Sequence, residues 1–152
     1  IGKAGEQYAF MQLREHLMGQ GYEPVWESAA EIRLAKDGEA GCVAVISYPD
    51  AQGAAQPGYD IRMAIQQKDI ETVFYFEVKT HTTSSMVRDI LYISNEQMKL
   101  AVKKKDAYYL LNVLFDYRNM QGIKIEAFQN PVDRIADGTL KNAENKYIFR
   151  VA

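Results

Sequence analysis

Tyr75-Phe76-Glu77-Val78-Lys79-Thr80 sets an acid and an amine two residues apart inside an apolar, strand-forming run. In a β-strand alternate side chains share a face, so Glu77 and Lys79 point one way while Phe76 and Val78 point the other. Core packing asks for no such pair. Upstream, Gln56-Pro57-Gly58-Tyr59-Asp60 ends in a second acid, and a strand-like run and a polar turn separate it from Glu77. Two carboxylates and a lysine that meet in space are what a divalent metal and a hydrolytic water require.

Residues 59–66 and 72–80 are rich in Ile, Val, Phe and Tyr and are joined by Gln67-Lys68-Asp69-Ile70-Glu71, which predicts a β-hairpin. With the turn centred near Lys68 and Asp69, facing residues have numbers that sum to about 137, and Asp60 falls opposite Glu77. Opposed residues of an antiparallel pair share a face, with their side chains close together. Like charges there repel, so this register costs stability unless a cation lies between them.

Before the hairpin, Ala9, Phe10, Leu13 and Leu17 recur at helical spacing and predict a helix from the Gly2-Lys3-Ala4-Gly5-Glu6 segment to about Leu17, ending near Gly19 and Gly21. Glu6 shares the apolar face at the first turn. The positive end of the helix dipole favours a carboxylate there, and so would a role as an acid aimed into a cleft; spacing leaves both readings open. Between residues 22 and 56, Pro24-Val25-Trp26 and residues 42–46 read as short strands separated by linkers, Lys36-Asp37-Gly38 as a turn and residues 49–58 as a loop.

After the hairpin, residues 81–88 read as a Thr- and Ser-rich connection, with His81 a loop histidine or a phosphate contact. Ser94-Asn95-Glu96-Gln97 has the pattern of a capping box and starts a helix running to about Lys105. Met98, Ala101 and Val102 are its core positions, and Glu96, Lys99 and Lys103 form a separate stripe. Residues 107–115 form a continuous apolar run, as in a strand covered on both faces. Residues 123–128 and 146–151 read as two further strands flanking a polar loop.

A chain of 152 residues, 47% hydrophobic and 25% charged, suits one globular domain over residues 1–152. No run approaches the ~18 apolar residues of a membrane span and no charged-then-apolar leader opens the chain, so the expectation is a cytoplasmic protein with no membrane partner. An opening Ile1 in place of Met points to a domain excised from a longer polypeptide, whose other domains would be partners. Cys42 stands alone and forms no internal disulfide. His16, His81 and Cys42 are too few and too scattered for zinc. There is no Gly-x-x-x-x-Gly-Lys loop for nucleotide hydrolysis. A net charge of −2 gives no global signature of a nucleic-acid binder. The one dense basic cluster, Lys99, Lys103, Lys104 and Lys105, is what a helix end opposing its dipole would carry.

The order of these parts resembles the PD-(D/E)XK nuclease superfamily, the restriction-endonuclease-like α/β fold with an α-β-β-β-α-β core and a mixed central sheet flanked by helices. More narrowly, Gly2-x-x-Gly5-Glu6, Gly58-Tyr59-Asp60-Ile61, Phe76-Glu77-Val78-Lys79-Thr80, Ile93-Ser94-x-Glu96 and Tyr108-x-x-x-x-Val113 together resemble the NO VEIN carboxy-terminal domain family, over about residues 1–115. That family occurs in plant and bacterial proteins, often beside ATPase or helicase modules.

The resemblance implies a nuclease dependent on Mg²⁺ or Mn²⁺ that hydrolyses phosphodiester bonds of DNA, or secondarily RNA. It would be a module of a larger defence or nucleic-acid-processing protein, and a second copy of the chain would be a partner where two strands are cut. Asp60 and Glu77 would match the metal-binding acids and Lys79 the catalytic lysine. The Val78 backbone carbonyl and Glu6 would be further metal ligands, and Glu96, Lys99 and His81 would line the cleft. The chain departs from the superfamily name in having Tyr59 before Asp60, with the proline three places upstream at Pro57. The alternatives are a non-catalytic module of the same fold that grips nucleic acid or protein, and a structural Glu77–Lys79 pair.

Overall fold

A computed structural model describes residues 2–53, 58–142 and 148–151, without the side chains of residues 142 and 148. Residues 54–57 of the loop expected at 49–58 and the first two residues of the strand expected at 146–151 lie outside the described residues, and the start of that loop, Pro49–Gln52, is a short 3-10 helix. Helix α1 (Gly2–Gly19) turns Gly5, Ala9, Phe10 and Leu17 inward, as the spacing of its apolar residues predicts. Gly21, at φ +95, takes the left-handed conformation that stops the helix and feeds the first strand.

An antiparallel meander follows: β1 (Tyr22–Glu27), β2 (Glu31–Lys36), β3 (Cys42–Ser47), β4 (Ile61–Gln67) and β5 (Ile70–Thr82). The chain then crosses over through β6 (Ile90–Tyr92) and α2 (Asn95–Lys104) to β7 (Tyr108–Phe115), which lies parallel to β5. β8 (Gly122–Gln129) closes the far edge antiparallel to β7. The result is a mixed seven-stranded sheet of order β1-β2-β3-β4-β5-β7-β8. After it come α3 (Pro131–Ala136), β9 (Leu140–Asn142) and β10 (Ile148–Val151); β10 pairs with both β6 and β9 in a second, three-stranded sheet.

The hairpin register is the one its turn dictates, from Ile61 opposite Phe76 to Gln67 opposite Ile70. Lys68 supplies the positive φ, at 57°, that a two-residue turn needs. β5 is much longer than β4, however, and beyond Phe76 its one sheet neighbour is β7. The large sheet therefore opens at Asp60, between the start of β4 and the second half of β5.

Two cores lie on the two faces of this sheet. Under α1, Phe10, Leu17, Ile46, Ile61, Phe76, Val78 and Val113 are buried together. On the other face Leu110 and Phe128 meet Leu91, Ile93, Leu140 and Phe149. β7 contributes to both, Leu111 to one and Leu110 to the other, which is why its sequence is an unbroken apolar run.

Three expectations need correction. The stretch expected as a linker after β1 holds β2, whose Ile32 and Leu34 are buried while Arg33 between them is exposed. The expected polar loop after β8 holds α3 and β9, and β6 fills residues between the expected connection at 81–88 and α2. Val102 is 54% exposed rather than core-facing: α2 lays Ala101 and Met98 inward, and one residue on the helix has turned away. Among the described residues no helix is long and apolar enough to cross a membrane.

Candidate functional site

Asp60 sits at the opening in the sheet, one residue before β4. Its backbone N–H donates to the Phe76 carbonyl at 2.9 Å, and its Oδ2 accepts from the Val78 N–H at 2.8 Å. The carboxylate thus replaces the next rung of the β4–β5 ladder. A strand residue's N–H and C=O point to the same side, so the Val78 carbonyl faces this opening beside Asp60. Gly58 fixes the approach of the segment. It has φ +88, and a Cβ there would lie 2.9 Å from the Glu96 backbone oxygen of α2 and 3.1 Å from Leu100 Cβ. Its carbonyl accepts from the buried Tyr108 hydroxyl at 2.8 Å. A glycine is needed twice over, for backbone conformation and for close approach.

Glu77, 4% exposed, reaches the opening from the α2 face of β5, with Lys79 Nζ 3.2 Å from its Oε2. Lys79 also donates to Gln97 Oε1 at 3.1 Å, and the same oxygen accepts the Ser94 N–H at 2.8 Å. Ser94 and Gln97 form the capping box read from the sequence. That box has a second function: its glutamine holds the lysine. Sequence reasoning assigned Gln97 to the cap alone, because nothing local to α2 announces Lys79.

Glu6 comes from α1. The helix stands directly on β5 at Gly5, where a Cβ would overlap the Thr80 side chain. Glu6 Oε2 accepts from the Tyr48 hydroxyl at 2.7 Å, and its carboxyl is near enough to that of Asp60 for the Asp60 charge to raise it. Asp60 in turn lies beside Glu77, whose charge acts on it directly. The acids run Glu6, Asp60, Glu77, bounded by Tyr48 at one end and Lys79 at the other.

Burial and mutual repulsion show in their ionisation. Burial first, and the charge of Glu77 second, push Asp60 up to about 7, against the pull of the Val78 N–H. Burial raises Glu77 while Lys79 draws it back, and burial raises Glu6 while the Tyr48 hydroxyl draws it back. The Tyr48 phenol is itself raised by burial and by Glu6. Carboxyls this close together, one buried and two half-buried, resist ionising together, and a cation between them relieves the repulsion.

Among the described residues, no three His, Cys, Asp or Glu side chains stand as a ready cage for a metal. The acids form linked pairs instead. That arrangement fits a hard cation that keeps most of its waters and is held through one or two carboxylates, as Mg²⁺ is. The donors on offer are carboxylate and carbonyl oxygens, with no sulfur or imidazole nitrogen among them, which suits Mg²⁺ or Mn²⁺ rather than zinc. An apolar cavity of about 430 Å³ along α1, lined by Leu13, Phe74 and Tyr109 among others, contains none of these acids.

Of the residues expected to line a cleft, His81 is not in a loop. It belongs to β5, on the face of Glu77 and Lys79, because the strand runs to Thr82. Its Nδ1 lies 2.7 Å from Oδ1 of the fully buried Asn112, whose amide nitrogen donates to the Arg88 carbonyl at 3.1 Å and to Glu126 Oε1 at 3.0 Å. With the Asn112 nitrogen so engaged its oxygen must accept, so Nδ1 carries the hydrogen. Glu96 and Lys99 stand apart from the acids. They pair with each other at 3.6 Å with side chains 63% and 75% exposed, since α2 turns Gln97 and Ala101 to the sheet and their stripe to water.

The family described as Protein NO VEIN, C-terminal, matches residues 5–125. The chain belongs to that family. The NO VEIN C-terminal match takes in every residue of the acid cluster, with Lys79 and Gln97, and extends past the expected limit at residue 115 into β8. No curated protein and no solved structure matches the chain.

Proposed function

We propose that this NO VEIN C-terminal domain is a Mg²⁺- or Mn²⁺-dependent nuclease on a restriction-endonuclease-like, PD-(D/E)XK scaffold. It hydrolyses phosphodiester bonds of DNA in preference to RNA, as a module of a larger protein. The observation that carries this reading is the meeting of the Asp60 and Glu77 carboxyls where β5 outruns β4, with Lys79 3.2 Å from Glu77. The succession of α1, antiparallel strands, α2 and a strand parallel to β5 is in keeping with the superfamily's α-β-β-β-α-β core.

Asp60, Glu77 and the Val78 carbonyl would hold the cation, with Glu6 joining through Asp60. When bound, the cation supplies Lewis acidity and a water of lowered pKa. Lys79, fixed by Gln97, orients the attacking water or neutralises charge as it builds on the phosphoryl oxygens. Tyr48 keeps Glu6 turned toward the cluster, and Gly58 and Tyr108 keep Asp60 at the mouth of the opening.

The purified domain with Mg²⁺ or Mn²⁺ is expected to cut plasmid, single-stranded DNA or RNA. Glu77→Gln and Lys79→Met should each lower cleavage by at least a hundredfold while circular dichroism stays native. Wild-type protein that cuts none of these substrates with either metal would remove the reading. Calorimetric binding of Mn²⁺ that Asp60→Asn abolishes, without any cleavage, would leave a binding module.

A further inference from the structure

We infer that the face beside the acid cluster is a stacking platform for unpaired nucleotides, so that the substrate is single-stranded nucleic acid or a locally unpaired segment. This rests on the nuclease reading for its choice of ligand class and adds which form of nucleic acid is bound. Tyr59 immediately precedes Asp60. Tyr75 lies on β5 two residues before Glu77 and therefore on the same face, about 7 Å away along the strand. The two rings meet edge to face, with centroids 5.1 Å apart. Both are half-buried, and neither belongs to either hydrophobic core. Two large aromatic side chains thus stand next to the acids, packed on each other rather than into either core.

Cations frame these rings. Arg62 is opposite Tyr75 in the β4–β5 ladder and so shares its face. Lys104, at the end of α2, brings its Nζ to 5.1 Å from the centre of the Tyr75 ring, and Lys103 and Lys105 flank it in the chain. Among the described residues no carboxylate lies within 4.0 Å of any of these four cations, whereas Lys79 and Lys99 are paired. Their charge is available to a backbone of phosphates.

Aromatic faces with unpaired cations alongside are the means by which proteins grip single strands, each base stacking on a ring while the cations follow the phosphates. A duplex offers base edges in its grooves, not faces, so a base stacked on Tyr59 has to be unpaired. The position of Tyr59 beside Asp60 puts that base next to the phosphate presented to the acids. Local cations also account for binding by a chain whose net charge is −2.

The test is fluorescence anisotropy of labelled dT12, U12 and a 12-base-pair duplex with the full chain in EDTA at low salt, where no cleavage intervenes. Wild-type protein should bind dT12 or U12 at least tenfold more tightly than the duplex. Tyr59→Ala should weaken single-strand binding between about fivefold and a hundredfold, and Tyr59→Phe, which keeps the ring, should bind as wild type. Equal or tighter duplex binding, no single-strand binding, or a Tyr59→Ala variant that binds as wild type would each overturn the platform. A domain that binds dT12 through Tyr59 but never cuts keeps the platform and loses the nuclease. One that cuts duplex in a Glu77-dependent way with Tyr59 dispensable does the reverse.

Discussion

Asp60 carries three duties in one carboxyl: it ends a ladder, it neighbours Glu77, and it meets Glu6. Its pKa is pushed up to about 7 in the folded protein, above the ordinary value of 3.8, by burial and then by Glu77. In the metal-free protein the folded state therefore keeps a proton that the unfolded chain releases. The resulting stabilisation is complete below pH 3.8 and is lost as pH rises through about 7. Its slope is at most about 1.4 kcal/mol per pH unit. Thermal melts in EDTA should thus show the stability difference between wild type and Asp60→Asn shifting against wild type from pH 4 to pH 7.5. A difference independent of pH would show that Asp60 titrates like an exposed acid. Mg²⁺, which replaces the proton, should raise the wild-type melting temperature at pH 8 and not at pH 4.5.

At the scale of the element, α2 joins stability to chemistry through one side chain. Gln97 accepts from the Ser94 N–H and from Lys79 with the same oxygen. Gln97→Met should cost about 1 kcal/mol of stability, the usual loss for a helix cap. It should lower kcat about 10- to 100-fold, the worth of a hydrogen bond to a charged group, and leave Mn²⁺ affinity nearly unchanged. A fall in Mn²⁺ affinity as large as that in kcat would mean that Gln97 only holds the fold. The hairpin, its register and the capping box were legible in the sequence because each is local: a turn, an alternation, a box of four residues. β2 alternates just as plainly, with Ile32 and Leu34 inward, and its polar neighbours disguised it. β6 and β9 have three residues each, too few for any period; both form by pairing with β10, which follows β9 closely but reaches β6 from far along the chain. Asp60, Glu77 and Lys79 could be read because alternation and register place them. Gln97 could not, since its link to Lys79 spans two elements and leaves no mark in the sequence of α2.

For the whole molecule, the near balance of 18 basic and 20 acidic residues limits how it can hold a polyanion. Only local groups are available: Arg62 and Lys104 stand beside Tyr75, and Lys103 and Lys105 adjoin Lys104 in the chain. Each phosphate neutralised on a single strand contributes about −0.7 to the slope of log K against log salt. Single-strand affinity measured against KCl concentration should therefore give a slope no steeper than about −3. A slope of about −6 would require a basic surface elsewhere on the molecule. The same economy applies to the cores: one large sheet carries a hydrophobic core on each face, so packed side chains lie on both sides of the strands that frame the opening.

That opening also makes β5 an internal reporter. The Val78 amide hydrogen is held by a carboxylate, while the Lys79 amide beside it points to β7 and is held by a strand. In hydrogen–deuterium exchange the two neighbours should differ: Val78 exchange should follow the protonation of Asp60 and whatever cation occupies it, and Lys79 exchange should follow the opening of the sheet. Two adjacent amides, compared with and without Mg²⁺, would separate the state of the site from the stability of its scaffold.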